Sequence, residues 1–162
     1  MMPTPSNPSE FQVALRQVME DRVPFCRLLG SKLRSLDPER PEMALAMREE
    51  MIRNFSHGML HGGVIASALD TVAGLAVLRK MKHEDPQSTA MAQLRQFARI
   101  STLDLRVDYL KPGRGKSFIA SAAVTRLGRR VANVQMALHN DEGSCIATGA
   151  AAFMLHAARP DA

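Results

Sequence analysis

A single charged residue interrupts the longest apolar stretch of this 162-residue chain. From Val64 to Leu78 every residue is apolar, small or hydroxyl-bearing, except Asp70. A helix that is apolar on nearly all sides is one that other structure surrounds, so the pattern predicts a central helix with Asp70 near a core. An ionised carboxylate taken out of water is costly unless it is paired, neutralised or functional. Asp70 is therefore the first candidate functional residue.

The residues just before this predicted helix suit a site for a developing negative charge. His61, Gly62 and Gly63 allow a tight turn, and the first amide N–H groups of a helix have no partner within it and lie at the positive end of its dipole. An amide aimed at an oxyanion can be worth on the order of 100-fold to 1000-fold in rate. The Gly62 amide is therefore the predicted electrophilic donor.

The spacing between these two groups favours an assembly of more than one chain. Asp70 follows Gly62 by eight positions, which is roughly 12 Å along a helix, so one bound atom cannot meet both groups of the same helix. If two copies of the helix run antiparallel across a two-fold axis, the glycine of one faces the carboxylate of the other. We therefore expect a homo-oligomer whose active site lies at the subunit interface.

Three segments resemble one known family. HGGVIASALDTVAGLAV, beginning at His61, resembles the signature of the PaaI-type (phenylacetate-pathway) branch of the hotdog-fold acyl-CoA thioesterases, in which an HGG turn precedes a helix carrying an acid. TLDLRVDYLKPGRG (102–115) and RLGRRVANVQMALHNDEGSCIATGAAAFML (126–155) are similar to that family's later strands. The resemblance implies an α+β hotdog fold, with an antiparallel sheet around one long central helix, and a homodimer or a dimer of dimers. An extra N-terminal helix is expected here.

The same resemblance implies a reaction, the hydrolysis of an acyl-CoA thioester to free acid and CoA. The Gly62 amide would hold the substrate carbonyl, and Asp70 from the partner subunit would act as a general base on water or as a nucleophile through a mixed anhydride. The sequence leaves both routes open. Thr102 and Asn54 are implied to place the water. The GxSxG motif of serine hydrolases is absent, and neither a metal nor a cofactor is expected.

Substrate binding is assigned to the turn and to basic residues beside later turns: His61, Gly63, Arg114, Arg129 and Arg130. A guanidinium group suits phosphate because its planar fork donates two hydrogen bonds at once. The three arginines are therefore candidate contacts for the phosphates of CoA, with solvated turn charges as the alternative. His57 and His61 have a spacing that metal ligands use on a helix, but Gly58 lies between them and no HExxH pattern follows.

Three alternatives to the thioesterase interpretation remain. The chain could be a non-catalytic acyl-CoA-binding hotdog protein, or a hotdog hydratase or dehydratase, whose usual signature fits HGG followed by Asp70 less well. Asp70 could also be a purely structural acid paired with an arginine in the core. The non-catalytic binding protein would lack any dependence of turnover on Asp70.

Charge and cysteine content argue against other classes of partner. The net charge is +5, but the arginine and lysine residues are scattered among aspartate and glutamate residues. Aromatic residues make up only 4% of the chain. No basic run or nucleic-acid-binding motif is present, so we expect no nucleic-acid partner. Cys26 and Cys145 have no disulfide-framework spacing, and the N-terminus lacks a signal-peptide pattern. The apolar segment is short and interrupted by Asp70, so we expect a cytoplasmic protein with no membrane span.

Along the chain, residues 1–9 are predicted to be a flexible arm and residues 10–158 a single domain. Helical spacing favours a helix from Glu10 to Val23 and a short extra helix from 90 to 98, in an insertion (83–100) that either covers the acyl end of the site or is a surface feature. Glu42–Met51 is interpreted as the second strand of a hairpin. The remaining strands, Thr102–Leu110, Ser117–Thr125, Arg130–His139 and Ser144–Leu155, predict an antiparallel meander.

Alternation along Thr102–Leu110 predicts the faces of that strand. Its apolar residues Leu103, Leu105, Val107 and Tyr109 are expected on one face, and its polar residues, Thr102 among them, on the other.

Overall fold

The computed structural model describes residues 9–54 and 57–156. Its helices are α1 (Glu10–Gln17), continued by a π-helical turn (Val18–Arg22), α2 (Pro24–Leu29), α3 (Gly62–Glu84) and α4 (Ala90–Phe97). Its strands are β1 (Lys32–Ser35), β2 (Glu42–Ala46), β3 (Ile52–Asn54), β4 (Met59–Leu60), β5 (Ile100–Tyr109), β6 (Ser117–Leu127), β7 (Val131–Asn140) and β8 (Cys145–Leu155). A 3-10 turn (Glu49–Met51) links β2 to β3.

Six strands form one antiparallel sheet in the order β1-β2-β6-β7-β8-β5, while β3 and β4 pair separately. The helix α3 packs on one face of this sheet, mainly against β6 and β7. This confirms the predicted hotdog fold, a sheet wrapped around a central helix. The predicted meander holds for β6, β7 and β8, but β5 pairs with β8 rather than β6. The strand β5 is therefore an edge strand.

The central helix is longer than its apolar stretch. It has 23 residues, and its buried side chains recur from Ile65 to Arg79. By length and composition alone α3 could cross a bilayer, but 61% of its most apolar part is buried inside the protein. Burial of apolar surface is the main force that folds a domain, so α3 is the core helix around which the sheet closes.

The N-terminal segment departs from the prediction in two places. The predicted arm (1–9) lies outside the described residues except for Ser9, which forms a reciprocal capping box with Gln12. Residues 26–36 gave no clear pattern, yet Pro24 begins the short helix α2 and Gly30, at φ 65°, ends it. The predicted strand Glu42–Met51 is wrong beyond Ala46, because a 3-10 turn replaces its last residues.

The face prediction for the first residues of β5 is also wrong. Thr102 pairs with Phe153 and Asp104 with Ala152, so Leu103 is an extra residue in the ladder. Such a bulge turns the side chains before it onto the opposite face. Leu103 is accordingly 53% exposed, whereas Leu105 and Val107 pack against the core. Thr102 lies on the side of α3, where its hydroxyl reaches Asp70.

Glu20 attaches the N-terminal helices to the sheet. Its carboxylate accepts hydrogen bonds from the Leu33 amide and from Arg16, both at 2.9 Å, and lies 3.2 Å from Lys32 Nζ. Burial by itself would raise the pKa of Glu20, but these hydrogen bonds outweigh it, and the pKa is lowered. The ionised carboxylate therefore contributes to the stability of the fold.

Glu20→Gln is expected to lower the free energy of unfolding by about 1–2 kcal/mol at neutral pH, because charge-assisted hydrogen bonds are lost. A carboxyl whose pKa is lowered on folding contributes stability above its unfolded-state pKa of about 4.3 and loses it as the pH falls through the folded-state value. Urea unfolding at fixed protein concentration should therefore show a difference at pH 7 that shrinks on acidification. The control is Glu142→Gln, at an exposed turn; a difference independent of pH would contradict the assignment.

Candidate active site

His61 caps the N-terminus of α3. Its Nδ1 accepts a hydrogen bond from the Gly63 amide at 2.9 Å, and the helix begins at Gly62. A Cβ atom at Gly63 would lie 3.0 Å from that same nitrogen, so a side chain here would displace the ring. His61 and Gly63 therefore build the turn together.

The Gly62 amide is the N–H group that this turn leaves open. The Val64 and Ile65 amides donate to the His61 carbonyl, and the Gly63 amide donates to the His61 ring. Within residues 9–54 and 57–156, no acceptor bonds to the Gly62 amide. An open amide at the positive end of a 23-residue helix can hold a carbonyl oxygen that gains negative charge.

Tyr109, at the end of β5, packs against Gly62. Its hydroxyl donates to the Gly62 carbonyl at 3.0 Å, and its ring lies 3.4 Å from the place of a Cβ atom at Gly62. From the sequence alone, Tyr109 is predicted only to lie on one face of a strand. The sole signal available was that it is the one tyrosine of the chain and directly precedes the Leu-Lys-Pro-Gly turn.

A cleft of about 640 Å³ opens beside this turn. It lies between the start of α3 and the 110–113 turn, and its lining includes Tyr109 and the cations Arg53 and Lys111, without a carboxylate. Neither cation was among the predicted phosphate contacts. Scattered basic residues look alike in a sequence, and only the fold shows which of them border one cleft.

Asp70 and Thr102 form a second cluster on the same helix. The Thr102 hydroxyl donates to Asp70 Oδ1 at 2.9 Å, and Asp70 is half-buried. Among the ion pairs of the described residues none includes Asp70. The buried Arg79 donates instead to the Leu36 carbonyl at 2.7 Å and lies over the Phe11 ring. The structure thus gives no support to a structural Asp70–arginine pair.

The other predicted site residues are divided between the two ends of the sheet. Asn54 ends β3, where its backbone pairs with Met59, and its side chain lies outside the described part. Arg114 directly follows Gly113, whose carbonyl accepts from the Leu60 amide, so it lies at the Gly62 end.

Arg129 and Arg130 lie at the opposite end of the sheet. They border a depression of about 930 Å³ together with Met81 and Glu84, in the last turns of α3. Because 23 helical residues span roughly 33 Å, one protomer does not bring these two arginines to Gly62.

The candidate site residues that contact β5 therefore form two groups, one at each end of the strand. Tyr109 contacts Gly62 at one end, and Thr102 contacts Asp70 at the other. One half offers a donor for a carbonyl oxygen, and the other offers a carboxylate held by a hydroxyl. Each half alone lacks one component of a hydrolytic site.

Comparison with known proteins identifies the family. The chain belongs to the thioesterase superfamily, whose family description matches residues 57–147. It is 40% identical over 135 residues to the medium/long-chain acyl-CoA thioesterase YigI of Escherichia coli K12, an alignment that covers 82% of this chain and 86% of that protein.

Solved structures agree with this assignment. A Shewanella oneidensis protein related to the thioesterase superfamily superposes with a TM-score of 0.85 at 37% identity, covering 93% of this chain and 100% of that one. Mouse thioesterase superfamily member 2, at 24% identity, has a TM-score of 0.71 over 92% of this chain and 100% of that one, and it shows the shared fold alone. The resemblance to hotdog thioesterases is confirmed.

Proposed function

We propose that this chain is an acyl-CoA thioesterase that hydrolyses the thioester to a free acid and CoA. The observation that carries the proposal is the N-terminus of α3, where the capped turn leaves the Gly62 amide open beside a cleft bordered by Arg53 and Lys111. An open amide suits the thioester carbonyl, and cations suit the phosphates of CoA. The relationship to an acyl-CoA thioesterase over most of the chain supports the same substrate class.

The active assembly is a homodimer joined along β5, either alone or within a dimer of dimers. The two edges of the sheet differ: β1 has four residues and carries Lys32 and Arg34, whereas β5 has ten. No strand of the described chain pairs with the outer edge of β5. Leu103, Tyr109 and Leu110 are each more than half exposed beside it. A long edge strand with exposed apolar side chains favours pairing with a second copy.

Antiparallel pairing along β5 would complete the site. With the two-fold axis at Arg106, and with Leu103 as an extra residue in each strand, Thr102 lies opposite the partner's Tyr109. Thr102 contacts Asp70, and Tyr109 contacts Gly62. The pairing therefore brings Asp70 of one subunit towards Gly62 of the other.

The same pairing gives Arg129 and Arg130 a place in substrate binding. The Arg130 carbonyl accepts from the Leu155 amide, and Leu155 pairs with Ile100 at the Thr102 end of β5. The two arginines would thus flank the partner's cleft, where CoA phosphates would lie. Arg114 would contribute to its own subunit's cleft.

In this mechanism the Gly62 amide polarises the thioester carbonyl and holds the oxyanion. Thr102 occupies Asp70 Oδ1, and Oδ2 remains for the reaction. As a general base, Asp70 takes a proton from water while the water oxygen bonds to the carbonyl carbon. The C–S bond then breaks, and CoA leaves as a thiolate that takes up a proton. As a nucleophile, Oδ2 forms a mixed anhydride that water hydrolyses. Asn54 would help to place the water.

A cytoplasmic location follows as part of the proposal. Both Cys26 and Cys145 are free thiols, as is usual in a reducing compartment. Burial raises the pKa of the Cys26 thiol, so this cysteine is a packing residue and not a nucleophile.

Asp70→Asn is expected to lower kcat by at least about 100-fold, because the amide cannot act as a base or a nucleophile. The measurement is release of free thiol from short, medium, long and aryl acyl-CoA esters. The matched control is Asp21→Asn, the same change at an exposed position of the π-helical turn. Equal turnover by wild type and Asp70→Asn would remove Asp70 from the mechanism. Binding of acyl-CoA without turnover by wild type would favour the non-catalytic binding protein.

Tyr109→Phe is expected to lower kcat about 10-fold with a smaller effect on KM, because it removes the hydroxyl that fixes the Gly62 carbonyl but keeps the ring. Tyr109 would then be a positioning residue that acts through the Gly62 peptide. Steady-state kinetics on one well-hydrolysed ester measures the split between kcat and KM. An unchanged kcat, or a loss entirely in KM, would exclude this role.

A further inference from the structure

A second depression, of about 470 Å³, lies on the other side of the His61–Gly63 turn from the cleft. Its lining includes Phe25 and Leu28 of α2 and Val64 and Ser67 of α3, and we name it the α2 groove. His61 and Gly63 border both the cleft and the α2 groove. The two depressions therefore meet at the turn that carries the open Gly62 amide.

The walls of the α2 groove are hydrocarbon. Phe25 is 47% exposed and Leu28 is 67% exposed, while Leu29 and Met51 are buried beneath them. Large apolar side chains exposed side by side in a concave surface are typical of a ligand-binding groove. The helix α2 presents its apolar residues to this groove and not only to the core.

Two of the polar side chains that line the α2 groove already have hydrogen-bond partners. The Ser67 hydroxyl donates to the Gly63 carbonyl at 2.7 Å. The Arg48 guanidinium donates to the Leu28 carbonyl at the end of α2. Glu50 stands at the rim with Arg48, so the groove carries no net charge. With its formal charges balanced and Phe25 and Leu28 exposed, the groove favours an alkyl chain.

We infer that the acyl chain of the substrate lies in the α2 groove while its CoA part lies in the cleft, an inference that rests on the proposed thioesterase function. An acyl-CoA has a hydrocarbon at one end, phosphates at the other and the thioester between them. The two depressions have the same polarity, since the cleft has Arg53 and Lys111 and the α2 groove has Phe25 and Leu28. The thioester then meets the Gly62 amide at their junction.

If the acyl chain lies in this groove, α2 determines which acyl-chain lengths the enzyme prefers. Straight alkyl chains long enough to reach past Val64 to Leu28 would gain contact, and short chains would not. None of the described side chains of the insertion 83–100 lines either depression, so we do not assign this role to it. Its Phe97 lies instead 3.9 Å from the place of a Cβ atom at Gly74, in the second half of α3.

The test is Leu28→Trp, which fills the α2 groove from an exposed position. We expect the ratio of kcat/KM for hexadecanoyl-CoA to that for hexanoyl-CoA to fall roughly 10-fold. The matched control is Met91→Trp on α4, which adds the same side chain at an apolar residue that is 62% exposed and outside both depressions; its ratio should match that of wild type. Lys111→Ala should raise KM for both esters alike, because the cleft contacts the part of the substrate they share.

Binding of S-dodecyl-CoA, a thioether that cannot be hydrolysed, separates this inference from the proposed function. Leu28→Trp should weaken binding of the thioether and leave binding of CoA unchanged. If wild type hydrolyses no ester, the proposed function fails and the thioether result still tests the α2 groove. The inference would be overturned if Leu28→Trp left the ratio of the two kcat/KM values unchanged, including the case of an equal loss on both esters. An unchanged ratio together with a change in the mass of the assembly would mean that the groove binds a second copy of the chain.

Discussion

The structure depends on the burial of α3. Its buried apolar residues extend from Ile65 to Leu78. The sheet closes around this helix, and its N-terminus emerges beside β4 and the 110–113 turn. The helix is buried along its length, so its orientation is fixed by packing. Its first amide can therefore stabilise a negative charge that develops nearby without any rearrangement of the protein.

Because α3 is a rigid helix, it also keeps two of the candidate catalytic groups apart. Gly62 and Asp70 are two turns apart on one helix and cannot converge. The edge strand β5 contacts both residues: Tyr109 bonds to Gly62, and Thr102 bonds to Asp70. A strand that holds one half-site at each end, and whose outer edge is free in the described chain, can join the halves by pairing with itself. Assembly and catalysis would then rest on the same ten residues.

The sequence predicts the parts of this arrangement that follow from strong local patterns. A nearly continuous apolar segment such as Val64–Leu78 is expected to be buried in a core. The HGG turn before it marks where the helix begins. Three kinds of feature could not be predicted from the sequence. The helix α2 has six residues, too few for a periodic pattern, although Pro24 and Gly30 mark its ends.

Alternation alone predicts an unbroken strand, so the sequence does not reveal the bulge at Leu103, and the predicted face of Thr102 is wrong. The contacts of Tyr109, Arg53 and Lys111 join segments distant in sequence. Arg129 and Arg130 resemble Arg114 in the sequence, yet the sheet places them at opposite ends. Chain order does not reveal such distances until the strand order is known.

The most direct test of the account is subunit complementation between Asp70→Asn and Gly62→Pro. Proline removes the amide donor while suiting the first position of a helix, and His61 at ψ 137° already has the extended conformation that precedes proline. Each variant alone should be nearly inactive. Co-expressed, they should regain about a quarter of wild-type activity, since half the dimers are mixed and each carries one intact site. Mixed dimers verified by native mass spectrometry that show no recovery would contradict a site shared between subunits.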